Sequence, residues 1–92
     1  MIKSFSCGDT EKLFNDIDVK RFRNISRKAR MKLEILNATV SLKGLKVPPG
    51  NWLEALKGDR KGQYSIRTNS PWRICFKWHD GNAHDVEIVD YH

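Results

Sequence analysis

Ninety-two residues suffice for one compact domain with a single core and leave no length for a second domain or a separate regulatory module. Lys and Arg number 17 against 11 Asp and Glu, a formal net charge of +6, so a polyanionic partner is the first expectation. No apolar run is long enough to span a membrane or to serve as a secretory signal, and Cys7 and Cys75 lie far apart without metal-ligand spacing. The expectation is a soluble cytoplasmic protein with two reduced thiols, no metal site, no cofactor and no membrane contact.

In chain order, Ile2 to Ser6 alternates apolar and polar residues, which predicts a first strand stopped by Gly8. Asp9 or Thr10 is suited to cap a short helix whose buried face is Leu13, Phe14 and Ile17. From Asn24 to Leu42, residues Ile25, Ala29, Leu33, Leu36 and Val40 recur at three- and four-residue steps, the stripe of an amphipathic helix. Gly44 and the Val47-Pro48-Pro49-Gly50 segment then enforce a loop.

Beyond that loop the period changes to two. Tyr64, Ile66 and Thr68 alternate with Gln63, Ser65 and Arg67, and Asn69-Ser70-Pro71 supplies a turn. In the next strand Trp72, Ile74, Phe76 and Trp78 share one face, with Arg73, Cys75 and Lys77 on the other. His79-Asp80-Gly81-Asn82 reads as a hairpin, and Val86 and Ile88 alternate with Asp85 and Glu87 in a last strand. The predicted fold is α+β: two N-terminal helices packed on a twisted antiparallel sheet of about four strands, in one domain spanning residues 1–92.

The charge is unevenly distributed. Lys20, Arg21, Arg23, Arg27, Lys28, Arg30 and Lys32 form a run without an acidic residue, suited either to phosphate contacts or to a merely solvated helix face. Arg60, in Leu56-Lys57-Gly58-Asp59-Arg60, and Arg67 add to the basic set. Arg73 stands mid-strand among buried positions, so it must line a cleft or find a partner, with Asp85 and Glu87 on the neighbouring strand as the candidates. The chain closes with a carboxylate, a phenol and an imidazole at Asp90, Tyr91 and His92, either a frayed tail or part of a site.

RNA cleavage needs no metal when the 2′-hydroxyl is the nucleophile: a base takes its proton, an acid protonates the leaving 5′-oxygen, and cations steady the phosphate. The chain carries all three types. His92 and Asp90 suit proton transfer, Lys57 and Arg73 charge stabilisation, and Tyr91 base stacking or hydrogen bonding, whereas His79 and His84 read as turn residues.

The opening MIKSF, the basic helix, PPGNWLEALKGDRKGQYSIR, PWRICFKW and the closing VEIVDYH together resemble the HigB group of toxins, close to its GraT-like members, within the RelE and ParE superfamily. The resemblance spans essentially the whole chain. It implies a RelE-like fold and cleavage of messenger RNA in the ribosomal A site, with Lys57, Arg73, Asp90, Tyr91 and His92 at the functional positions. Some members have a histidine three residues before the lysine of LKGDR; here that position is Glu54, which suits a base or a partner for Lys57. The implied partners are the 70S ribosome with its message and a helix-turn-helix antitoxin, HigA- or GraA-like, through which alone operator DNA is engaged. Two other readings remain: a ParE-like gyrase inhibitor without chemistry of its own, and an RNA- or ribosome-binding module that cuts nothing.

Overall fold

The computed structural model describes residues 1–47, 49–69 and 71–90. Its centre is a sheet of four strands, β1 (Glu54–Ala55), β2 (Gln63–Asn69), β3 (Trp72–His79) and β4 (Asn82–Asp90), antiparallel throughout in the order β1-β2-β3-β4. β2 pairs Ile66 with Ile74 of β3, which pairs in turn with Ile88 of β4, so one face carries a row of β-branched side chains. Two helices, α1 (Gly8–Phe14) and α2 (Ser26–Ala38), cover that face. Leu13 of α1, Ala29, Leu33 and Leu36 of α2, and Ile66, Ile74, Phe76, Val86 and Ile88 of the sheet form one buried cluster with Phe22 and Leu45. Phe22 meets the Trp72 ring edge-on at 5.7 Å, which places Trp72 on the helix side.

The helices are shorter than the apolar spacing predicts. α2 ends at Ala38 rather than Leu42, because Thr39 turns extended and returns its hydroxyl to the Ile35 carbonyl at 2.8 Å. Val40 therefore leaves the stripe and is exposed, and so is Ile17, which lies beyond the end of α1. Neither Asp9 nor Thr10 caps α1. The cap position is Cys7, and the fully buried Thr10 hydroxyl instead accepts the Ile88 amide at 3.0 Å, tying α1 to β4.

The expected first strand also changes character. Ile2 and Phe5 pair with Ala83 and Val86 of β4 as isolated bridges, and they run parallel to it. A bulge in β4 explains the gap: Asp85 takes a left-handed backbone (φ 51°), and its amide donates to Ser4 Oγ at 2.8 Å rather than to a ladder partner. The fourth strand of the sheet is instead Glu54–Ala55, within a stretch the sequence marks only as loop and turn. The β3–β4 hairpin follows expectation, with Asp80 (φ 51°) and Gly81 (φ 75°) both left-handed as a two-residue primed turn requires. No helix among the described residues is long and apolar enough to cross a membrane.

Candidate active site and RNA-facing groove

On the sheet face opposite the helices, Arg73 is the best-held functional side chain. Its Nε donates to Ser65 Oγ at 2.7 Å across the β2–β3 pair, and its Nη2 donates to the Trp52 carbonyl at 2.7 Å. Glu54 Oε1 lies 3.7 Å from Nη1, and the arginine side chain is only 13% exposed. The partner is thus Glu54 of β1, not Asp85 or Glu87. Asp85 pairs with Lys77 at 3.1 Å and Glu87 with Arg60 at 2.8 Å, since the register sets Val89 opposite Arg73 and keeps both acids nearer the hairpin. Glu54 likewise joins Arg73 rather than Lys57.

Lys57 is exposed at the start of the Gly58–Arg60 turn and forms no ion pair among the described residues. Gly58 (φ 64°) supplies the left-handed backbone that this turn needs. Asp90 is exposed at the end of β4, in register with Trp72, while Val89 faces Arg73. Strand alternation therefore sets Asp90 on the face of Trp72, one residue along from Arg73 and across the sheet from it. Tyr91 and His92 lie outside the described residues.

Three of the seven residues in the basic run are paired with acids from outside it. Arg21 pairs with Asp9 at 3.0 Å, Arg23 with Asp18 at 2.6 Å, and Arg30 with Asp16 at 3.7 Å and Glu34 at 3.5 Å. The hydrogen bond from Arg23 holds the Asp18 carboxyl below its ordinary value. Lys20, Arg27, Lys28 and Lys32 have no carboxylate partner among the described residues. The expected seven-charge field is thus concentrated on fewer residues, although exposed pairs of this kind are worth little and exchange readily for phosphate.

Sequence reasoning missed the neighbouring groove of about 570 Å³ lined by Lys28, Lys32, Pro49, Trp52, Arg67 and Asn69. Lys32 lines this groove although it is only 8% exposed, and it donates to Asn51 Oδ1. Burial pushes its ammonium below the ordinary lysine value, and repulsion from Lys28 adds to the effect. Trp52, 55% exposed and left-handed (φ 47°), has the Arg67 guanidinium 5.4 Å from its ring centroid. The available signal was an aromatic residue inside a Pro-Gly-Asn loop, where no core demands one. Among the described residues no cluster of three or more His, Cys, Asp or Glu is disposed to hold a metal ion.

Residues 3–92 match the family model of HigB-like toxins, described as RelE-like toxin of type II toxin-antitoxin system HigB. The chain is 50% identical over 52 residues to Toxin HigB-1 of Vibrio cholerae, covering 56% of this chain and 55% of that protein. It is 45% identical over 40 residues to Endoribonuclease HigB of Proteus vulgaris, covering 44% of each. These matches span about half the length of the two curated relatives. In fold, the chain superposes along its whole length on 98% of a chain from the YoeB-YefM toxin-antitoxin complex of Staphylococcus aureus, with a TM-score of 0.63 at 20% identity. With nearly every residue inside the family match and the helix-covered antiparallel sheet shared with those toxins, the chain belongs to the HigB-like, RelE-like toxins of type II toxin–antitoxin systems.

Proposed function

We propose that this protein is an endoribonuclease that cuts messenger RNA in the ribosomal A site by attack of a 2′-hydroxyl on the adjacent phosphate. The observation that carries the reading is Arg73, a guanidinium anchored on two neutral oxygens beside Glu54 and thus pre-oriented toward an anion. In this reading Glu54 accepts the 2′-hydroxyl proton, the 5′-oxygen leaves with a proton from His92, and Arg73 and Lys57 stabilise the charge gathering on the phosphate. In this reading Asp90, which closes β4 on the Trp72 face of the sheet, orients the imidazole at the sheet's end, and Tyr91 contacts the base.

Lys20, Arg27 and Lys28 hold ribosomal or message phosphates from α2 and the turn before it, assisted by Arg21, Arg23 and Arg30 once their carboxylate partners are displaced. Arg60, paired with Glu87, and Arg67, beside Trp52, act at the margin of the same surface. An antitoxin partner follows from membership in a toxin–antitoxin family; in this reading it is a helix-turn-helix protein that alone brings operator DNA into the complex, and the toxin acts in the cytoplasm. The test is cleavage of message on translating ribosomes with purified protein, mapped by the new 5′ ends. Intact message alongside inhibited DNA supercoiling would establish the gyrase-inhibitor reading instead.

A further inference from the structure

Around Trp52 the chain builds a rigid mount for an exposed ring. The buried Asn51 side chain donates to the Leu45 carbonyl at 3.2 Å and the Val47 carbonyl at 3.4 Å and accepts from Lys32, while Arg73 grips the Trp52 carbonyl at 2.7 Å. The backbone on both sides of Trp52 is thus fixed, yet the indole is 55% exposed and packs into no core. A left-handed backbone at a bulky non-glycine residue is costly, and it persists here because the surrounding bonds impose it.

The charges around this ring are just as unusual. Lys28 and Lys32 repel one another, Lys32 is more than nine-tenths buried, and the only partner its ammonium has among the described residues is a neutral amide oxygen. Arg67 adds a third cation to the groove. Three cations gathered without a carboxylate among the described lining residues leave a field that an anion would satisfy. Lys28 and Asn69 also line an adjoining hollow of about 450 Å³ along the start of α2, so the track continues past a single nucleotide.

From this arrangement we infer that the groove between α2 and the Pro49–Asn51 turn binds a nucleotide of single-stranded RNA, its base stacked against Trp52 and Arg67 and its phosphate held by Lys28 and Lys32. The flat indole beside a flat guanidinium favours a planar aromatic ligand over an acidic peptide, which would use the cations and leave the ring idle. Only an unpaired strand offers a free base face. The inference rests on the proposed RNA-cutting function and deepens it: Arg73, which touches both Glu54 and the Trp52 backbone, makes the groove the seat of a nucleotide flanking the cut phosphate.

The test is fluorescence anisotropy with the intact protein and a short, uncleavable 2′-O-methyl RNA strand. Trp52→Ala should weaken binding about tenfold or more, Trp52→Phe should recover most of it, and Lys28→Gln should reduce the salt slope by about one. Arg67→Ala, on a half-buried strand position outside the Asn51 loop, reads the same site. Unchanged affinity in both Trp52→Ala and Arg67→Ala would overturn the inference, as would equal binding of duplex RNA, or binding of polyglutamate in competition with the strand that Trp52→Ala leaves unchanged. Wild-type protein that binds the strand through Trp52 but leaves message whole on ribosomes would remove the nuclease reading and keep the groove. Full cleavage with binding indifferent to Trp52 would do the reverse.

Discussion

The Arg73 guanidinium bridges two strands and a loop, donating to Ser65 Oγ and to the Trp52 carbonyl, both at 2.7 Å. Because it acts as strut and as charged group together, Arg73→Ala should cost both stability and activity. Loss of two charge-assisted hydrogen bonds corresponds to about 3–6 kcal/mol and roughly 10 °C or more in Tm for a domain of this size. Arg73→Lys should keep the charge but lose the fork, recovering little of either. Thermal unfolding alongside cleavage on ribosomes checks this, and a variant with native Tm would contradict the strut.

Glu54 should separate from Arg73 in its effects. Its carboxylate is 48% exposed and 3.7 Å from the guanidinium, so Glu54→Gln should change stability by less than about 1 kcal/mol. As the base of the proposed reaction its loss should slow single-turnover cleavage by about 100-fold or more. Cleavage at the wild-type rate would move the base to the residues at the end of β4.

Thr10 supplies the hydroxyl that satisfies the Ile88 amide at 3.0 Å in the core. Thr10→Val keeps the shape but strands a buried N–H, and should cost about 1–3 kcal/mol in urea unfolding, with Thr10→Ser recovering most of it. Since this bond ties α1 to the C-terminal part of β4, hydrogen exchange at Ile88 should accelerate in the valine variant and not in the serine one.

The depressed lysine gives a pH signature. With the folded value of Lys32 below the unfolded 10.5, the unfolded chain binds the proton more tightly over the interval between them. The penalty for burying the ammonium is fully present below the folded value and is relieved as pH rises toward 10.5, so stability contributed by this site increases with pH across that window. The stability of the wild type relative to Lys32→Met should therefore climb as the solution is made alkaline, measured by parallel urea titrations. A difference that stays flat or falls would show that the ammonium is not desolvated.

Local pattern alone specified much of this molecule. The period-two stretches at 63–68, 72–78 and 85–88 fall within the three long strands, Asp80-Gly81 is the turn between the last two, and Ala29, Leu33 and Leu36 are the buried stripe of α2. These features depend on residues within one turn or one strand of each other, so their information lies in adjacent positions. The family, too, was readable, since LKGDR, the WRI strand and the DYH ending are contiguous words.

Tertiary structure alone decided which charges meet. Asp85 pairs with Lys77 and Glu87 with Arg60, Arg73 meets Glu54 of β1 instead, and acids from outside the basic run reach in to pair with Arg21, Arg23 and Arg30. It also sank Lys32 beneath Asn51 while leaving Trp52 in solvent, the reverse of what a lysine and a tryptophan prefer singly. Coulomb and hydrogen-bond energies depend on distances between groups remote in the chain, and one extra residue in a strand resets all of them, so no local pattern can carry that outcome.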